Sequence, residues 1–183
     1  MDRGKLIFIT GGARSGKSSF AEKIAAESNK GVAYIATAVT LDEEMKFRIQ
    51  KHKDVRAAHW KTYEEHIEVN QLVLRLGEGK EVIVIDCITL LTSNLLLKNE
   101  EKVQDEMWQK EVLSEINALA ESAYKVPSKV IIVSNEIGMG LVPDNSLGRS
   151  YRDVLGRANH IIAGMADEVI LMISGIPLRI KGK

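Results

Sequence analysis

Short apolar runs alternate along this chain with longer stretches in which apolar positions recur every three or four residues. The runs Lys5–Thr10, Gly31–Ala36, Val82–Asp86, Lys129–Ser134, Glu168–Ile173 and Pro177–Ile180 are rich in Val and Ile and read as strands. The central ones are apolar throughout rather than alternating, as in strands covered on both faces. Helices are predicted over Lys17–Ser28, Asp42–Asp54, Ile88–Leu97, Gln104–Ala123 and Leu147–Met165. This alternation predicts an α/β fold, a mostly parallel, doubly wound sheet with helices on both faces. Leu76–Lys80 reads as a surface turn and 99–103 as a polar break between helices, so residues 1–183 are expected to form one domain. Ligands of such sheets sit beyond the carboxyl ends of the strands, which directs attention to the residues just after Thr10, Ala36, Asp86 and Ser134.

The first of these places carries the clearest chemistry. Gly11-Gly12-Ala13-Arg14-Ser15-Gly16-Lys17-Ser18 comes after an apolar run and opens a helix, which is the setting a phosphate-binding loop requires. The glycines let backbone N–H groups curl around phosphate oxygens, and the helix start adds its positive dipole end. Lys17 is expected to reach the β- and γ-phosphates and Ser18 to sit on Mg²⁺. A P-loop NTPase-like domain with a RecA-like core is therefore expected, with ATP or GTP as substrate. Asp86 ends the apolar run Val82–Ile85, where an acid in such enzymes holds Mg²⁺ and would face Ser18 across neighbouring strand ends. The alternative is that Asp86 caps the helix beginning near Ile88.

Composition narrows the partners. The 183 residues carry 25 basic and 25 acidic side chains with no basic block, which argues against nucleic acid. A single cysteine, Cys87, excludes an internal disulfide framework and fits a reducing cytosol. The apolar stretches are strand-length, so neither a membrane span nor a signal peptide is expected, and the location expected is cytoplasmic.

Residues 40–54 read as a capped helix: Thr40 and Glu43 suit a capping box, and Met45 and Ile49 form an apolar stripe. Glu44, Arg48 and His52 line its polar face. His52 then lies among Lys51, Lys53 and Arg56, a setting for an anionic substrate. A lone histidine on such a helix is usually incidental. His52, His59 and His66 lack the paired spacing of a zinc site. Trp60 and Trp108 either stack on a ligand or pack in the core or a subunit interface. The Ser134–Pro143 block lies on the ligand edge. Its Asn135, Glu136 and Gly138 either contact substrate or form a turn whose glycines permit positive φ.

Several of these segments occur together in one family. The phosphate loop, Tyr34-Ile35-Ala36-Thr37, Asp42–Met45 with Arg48, Ile49 and His52, Ser134–Pro143, Tyr151–Asn159 and Ser174–Leu178 appear here in order. Across essentially its whole length the chain resembles the bifunctional adenosylcobinamide kinase/adenosylcobinamide-phosphate guanylyltransferases of cobalamin biosynthesis. The resemblance implies phosphorylation of the aminopropanol hydroxyl of adenosylcobinamide. It implies that GMP then passes from GTP to adenosylcobinamide phosphate, through a guanylylated histidine matched by His52. It implies nucleotide contacts from the phosphate loop, Ala36, Thr37, Ala38, Lys53, Asp54, Val55, Arg56, Glu64 and Asp86, with Lys17 catalytic. It also implies Mg²⁺ at Ser18 and Asp86 and a homo-oligomer, a trimer. Two readings compete: a small-molecule kinase without the nucleotidyl step, and a nucleotide-gated binding protein.

Overall fold

The computed structural model describes residues 3–28, 31–39, 59–79 and 81–183. Among them, seven strands form one sheet in the order β3-β2-β4-β5-β1-β6-β7. These are β1 (Leu6–Gly11), β2 (Val32–Ala36), β3 (Lys61–Glu64), β4 (Val82–Asp86), β5 (Lys129–Val133), β6 (Glu168–Ile173) and β7 (Ile176–Lys181). The helices described are α1 (Lys17–Ala26), α2 (Val69–Gly77), α3 (Ile88–Leu97), α4 (Glu106–Lys125) and α5 (Ser146–Met165). All pairings are parallel except β6–β7.

The apolar runs are explained by their covering. Leu6, Phe8, Ile83, Ile85, Val130 and Ile132 pack on one face with side chains of α2, α3, α4 and α5. On the other face Ile7, Ile9, Tyr34, Val82, Val84, Ile131 and Val133 pack with Ala21 and Ala25 of α1. A strand buried on both sides has no polar face to alternate with. The expected fold is observed.

Boundaries moved where a specific residue acts. Asp105 accepts N–H bonds from Met107 and Trp108, so α4 starts at Glu106 rather than Gln104. Asn145 accepts from the Gly148 N–H at 2.6 Å and starts α5 at Ser146. The β6–β7 link is a two-residue hairpin turn with φ 50° at Ser174 and 86° at Gly175, both left-handed as a twisted hairpin demands. Two elements had no sequence expectation, β3 and α2, and the turn expected at Leu76–Lys80 is partly the end of α2. The helix expected over Asp42–Asp54 lies outside the described residues, as do His52, Lys53, Asp54, Val55 and Arg56.

Candidate active site

The carboxyl ends of β1, β2, β4 and β5 open into a cavity of about 590 Å³. Its wall is the loop Ala13–Ser19, Tyr34, Ala36 and Ala38 from the β2 end, Asp86 to Leu90 without Ile88, and Val133 with Asn135. All four places singled out by the strand pattern thus border one space.

The loop takes its shape from glycine. Gly16 has φ 92° and starts α1 with no side chain capping it, so no side chain claims the first N–H groups of the helix. At Gly11 (φ 148°) a Cβ would collide with the Met172 carbonyl oxygen, so only glycine lets β1 pass β6 there. The β6–β7 turn braces the loop from behind, where the Gly175 N–H donates to the Ser15 carbonyl at 3.1 Å. Lys17 is buried and its Nζ donates to the Gly12 carbonyl at 2.5 Å. Burial holds its pKa below the ordinary lysine value, with the nearby Cys87 and Asp86 opposing that shift.

Asp86 is half-buried at the end of β4, and its Oδ2 accepts the Tyr34 hydroxyl at 2.5 Å. The capping alternative is not what the geometry shows: the N-cap of α3 is Cys87, without a side-chain cap bond. One expectation needs correcting, because β5 lies between β1 and β4. Ser18 and Asp86 therefore meet across the cavity rather than across neighbouring strand ends. The Asp86–Cys87 peptide bond is cis. The Cys87 thiol is pushed up to about 12, chiefly by burial and then by the Asp86 carboxylate, so it is held protonated.

Thr37 departs from its expected place. It is fully buried; its hydroxyl donates to the Cys87 carbonyl at 2.7 Å and accepts the Cys87 N–H at 2.8 Å. Its own carbonyl accepts Asn94 Nδ2 at 2.8 Å. Thr37 therefore clamps the β2 end to the β4 end and holds Ala36 and Ala38 at the cavity, without lining it itself. Glu64 ends the exposed edge strand β3 in register with Ala36, and it too is outside the wall.

The Ser134–Pro143 block divides. Asn135 lines the cavity, its N–H donating to Thr89 Oγ1 at 2.8 Å and its carbonyl accepting Asn159 Nδ2 at 3.0 Å. The Glu136 N–H donates to the Gly11 carbonyl at 2.9 Å, and its carboxylate accepts the Gly138 N–H at 2.6 Å. Positive φ is not what Gly138 and Gly140 supply, since neither adopts it. Met139 between them and Leu141 and Val142 after them are exposed. Both tryptophans pack against core clusters, and Trp108 Nε1 donates to the Leu96 carbonyl at 3.1 Å.

Sequence reasoning missed Ser19, Tyr34, Cys87, Thr89, Leu90 and Val133 as wall residues. The signal for Tyr34 was a phenol inside a run otherwise apolar, because a buried tyrosine hydroxyl demands a partner. Among the described residues no cluster of three or more His, Cys, Asp or Glu forms a metal centre, and no helix is long and apolar enough to cross a membrane.

A family model described as CobU, cobinamide kinase/cobinamide phosphate guanyltransferase, matches residues 7–180. The chain belongs to this family. It is 42% identical over 181 residues to the bifunctional adenosylcobalamin biosynthesis protein CobU of Salmonella typhimurium, covering 96% of this chain and 99% of that one. The Escherichia coli CobU is 39% identical with the same coverage, and Pseudomonas aeruginosa CobP is 40% identical over 175 residues, 96% of each chain. The family resemblance carried by the ordered motifs is thereby borne out. Among solved structures, a prototypical ATPase of a bacterial type III secretion system superposes with a TM-score of 0.58 at 12% identity. That match covers 92% of this chain and 51% of the ATPase. A Pyrococcus horikoshii OT3 protein superposes at 0.57 with 8% identity, covering 100% of this chain and 88% of that one. These two likenesses concern the fold alone.

Proposed function

We propose that this chain phosphorylates the aminopropanol hydroxyl of adenosylcobinamide with ATP or GTP, and then transfers GMP from GTP onto the new phosphate. The observation that carries the reading is the single cavity joining the phosphate loop, the β2 end and Asp86 in a chain of the CobU family. In the first step the loop amides and Lys17 hold the triphosphate while the hydroxyl oxygen attacks the γ-phosphorus, its proton passes to solvent and the nucleoside diphosphate leaves. Ser18 and Asp86 border the same cavity and suit Mg²⁺, which when bound supplies charge neutralisation on phosphate oxygens.

The second step uses the α-phosphate. A neutral His52 imidazole nitrogen attacks it and pyrophosphate leaves, giving a phosphoramidate. An oxygen of adenosylcobinamide phosphate then displaces the imidazole, forming adenosylcobinamide-GDP and freeing His52. Lys53, Asp54, Val55 and Arg56 contact the nucleotide, Glu64 does so from the end of β3 outside the cavity wall, and Thr37 acts through Ala36 and Ala38. The protein works as a homotrimer in the cytoplasm. The row of exposed apolar side chains Ile173, Ile176, Leu178 and Ile180 on the β6–β7 hairpin supports a partner copy.

Incubation with adenosylcobinamide and GTP, followed by mass analysis, tests the scheme. Wild type is expected to yield adenosylcobinamide-GDP and pyrophosphate. His52→Ala is expected to stop at adenosylcobinamide phosphate, with guanylyl transfer down by about 10³-fold or more. It should also fail to retain acid-labile label from α-³²P GTP. Equal loss of both steps in a folded variant overturns the two-stage route. Kinase turnover with no protein-bound GMP in wild type reduces the function to a kinase.

A further inference from the structure

The strand β2 carries one polar tip, and its position is specific. Tyr34 pairs in register with Val84, and Ala36 with Asp86. The phenol therefore reaches two residues up the sheet, on the face shared by Val82 and Val84, to meet the carboxylate at the strand end. Tyr34 is 1% exposed and packs in the apolar cluster beneath the cavity it borders, which restricts its pose. A phenylalanine would fill the same apolar space. What the hydroxyl adds is a short charge-assisted bond to Asp86 Oδ2 at 2.5 Å. The side chain opposite Asp86 on β2 is only Ala36, which leaves the mouth of the cavity open beside the carboxylate.

We infer that Tyr34 is a positioning residue: it fixes the rotamer of Asp86 by occupying Oδ2, so that Oδ1 is presented to a hydrated divalent cation on the phosphates. This rests on the reading of Asp86 as the metal-side carboxylate. Without the phenol, a carboxylate at a strand end turns about two side-chain torsions, and the ordering must be supplied when the cation binds. With it, that ordering is already in place.

Binding of a fluorescent, non-hydrolysable GTP analogue, titrated with Mg²⁺ and repeated in EDTA, tests the inference apart from turnover. Tyr34→Phe is expected to raise the Mg²⁺ midpoint about 10-fold while affinity in EDTA stays within about twofold. Asp86→Ala is expected to raise the midpoint further, and adding Tyr34→Phe to it to change nothing more. Incorporation of 3-fluorotyrosine at position 34, which keeps the donor, should keep the wild-type midpoint and guards against a folding defect in the phenylalanine variant. An equal loss with and without Mg²⁺, or effects of the two substitutions that add, overturns the positioning role and leaves Asp86 in place. An unchanged midpoint in Asp86→Ala overturns the reading of Asp86 itself.

Discussion

The two edges of the sheet treat charge in opposite ways. At the amino edge opposite charges are joined. Arg3 grips Asp167 with two bonds of 2.8 and 2.6 Å, the same carboxylate accepts the Leu6 N–H at 2.8 Å, and Lys5 meets Glu168 at 2.5 Å. At the carboxyl edge they are held apart. Lys17 and Asp86 line one cavity, yet the ammonium is bonded to a backbone carbonyl and the carboxylate to a phenol, and the two form no ion pair. Among the described residues, the buried polar atoms Thr10 Oγ1, Ser134 Oγ and Asn159 Oδ1 near that edge have no partner. Ser128 Oγ at the other end donates to the Gly77 carbonyl at 3.0 Å. A chain that pairs its charges at one end of the sheet, and separates them around a cavity at the other, keeps its ion pairs and its candidate site at opposite ends of the same strands.

The sharpest way to break that contrast is Lys17→Met. If Lys17 donates to the transferring phosphate as proposed, its removal costs about 10²–10³-fold in phosphoryl transfer. Stability should not fall with it, because burial already disfavours the ammonium in the folded chain, as the lowered lysine pKa records. Steady-state kinetics beside a urea melt read both quantities. A variant that loses stability in proportion to activity would place Lys17 with the structural charges.

The contrast also explains what could be read in advance. Strands buried on both faces announce themselves, and the observed bounds of β4 and β6 are those their apolar runs predict. The edge strand β3, Lys-Thr-Tyr-Glu, has no apolar run, and its pairing with β2 alone makes it a strand. The helix α2 does leave a signal, since Val69, Leu72, Val73 and Leu76 carry the helical period. In the site, the phosphate loop is local: Ala13 to Ser18 line the cavity, whereas Gly11 and Gly12 shape the loop without lining it. The Tyr34–Asp86 bond and the Thr37–Cys87 clamp depend on which strands are neighbours, and strand order arises from packing rather than from any short segment.

A smaller effect should appear at the amino edge with no trace at the cavity. A Cβ on Gly4 would run into the Ser128 carbonyl group, so the Gly4→Ala chain must move backbone where the Gly4 N–H donates to the Val126 carbonyl at 2.8 Å. Strain of this kind costs about 1–3 kcal/mol. The urea midpoint of Gly4→Ala should drop accordingly, while the folded fraction binds GTP with wild-type affinity. Loss of affinity at unchanged stability would mean that the two edges are coupled.

The smallest expected effect is electrostatic and has a defined pH window. The Asp167 carboxyl is held down at about 2, first by the Arg3 hydrogen bond and also by the Leu6 N–H. A carboxyl whose folded-state pKa lies below its ordinary value stabilises the fold fully above that ordinary value. The contribution then fades as pH falls from about 4 towards 2, where both states become protonated. The pair is partly exposed, so its worth is about 1 kcal/mol once solvent screening is allowed for. Asp167→Asn should therefore unfold at lower urea than wild type at pH 7, and the gap should close on acidification through that window. A gap that persists unchanged at pH 2 would assign the loss to the backbone bond with Leu6 rather than to the charge, and would leave the amino edge stabilised by geometry alone.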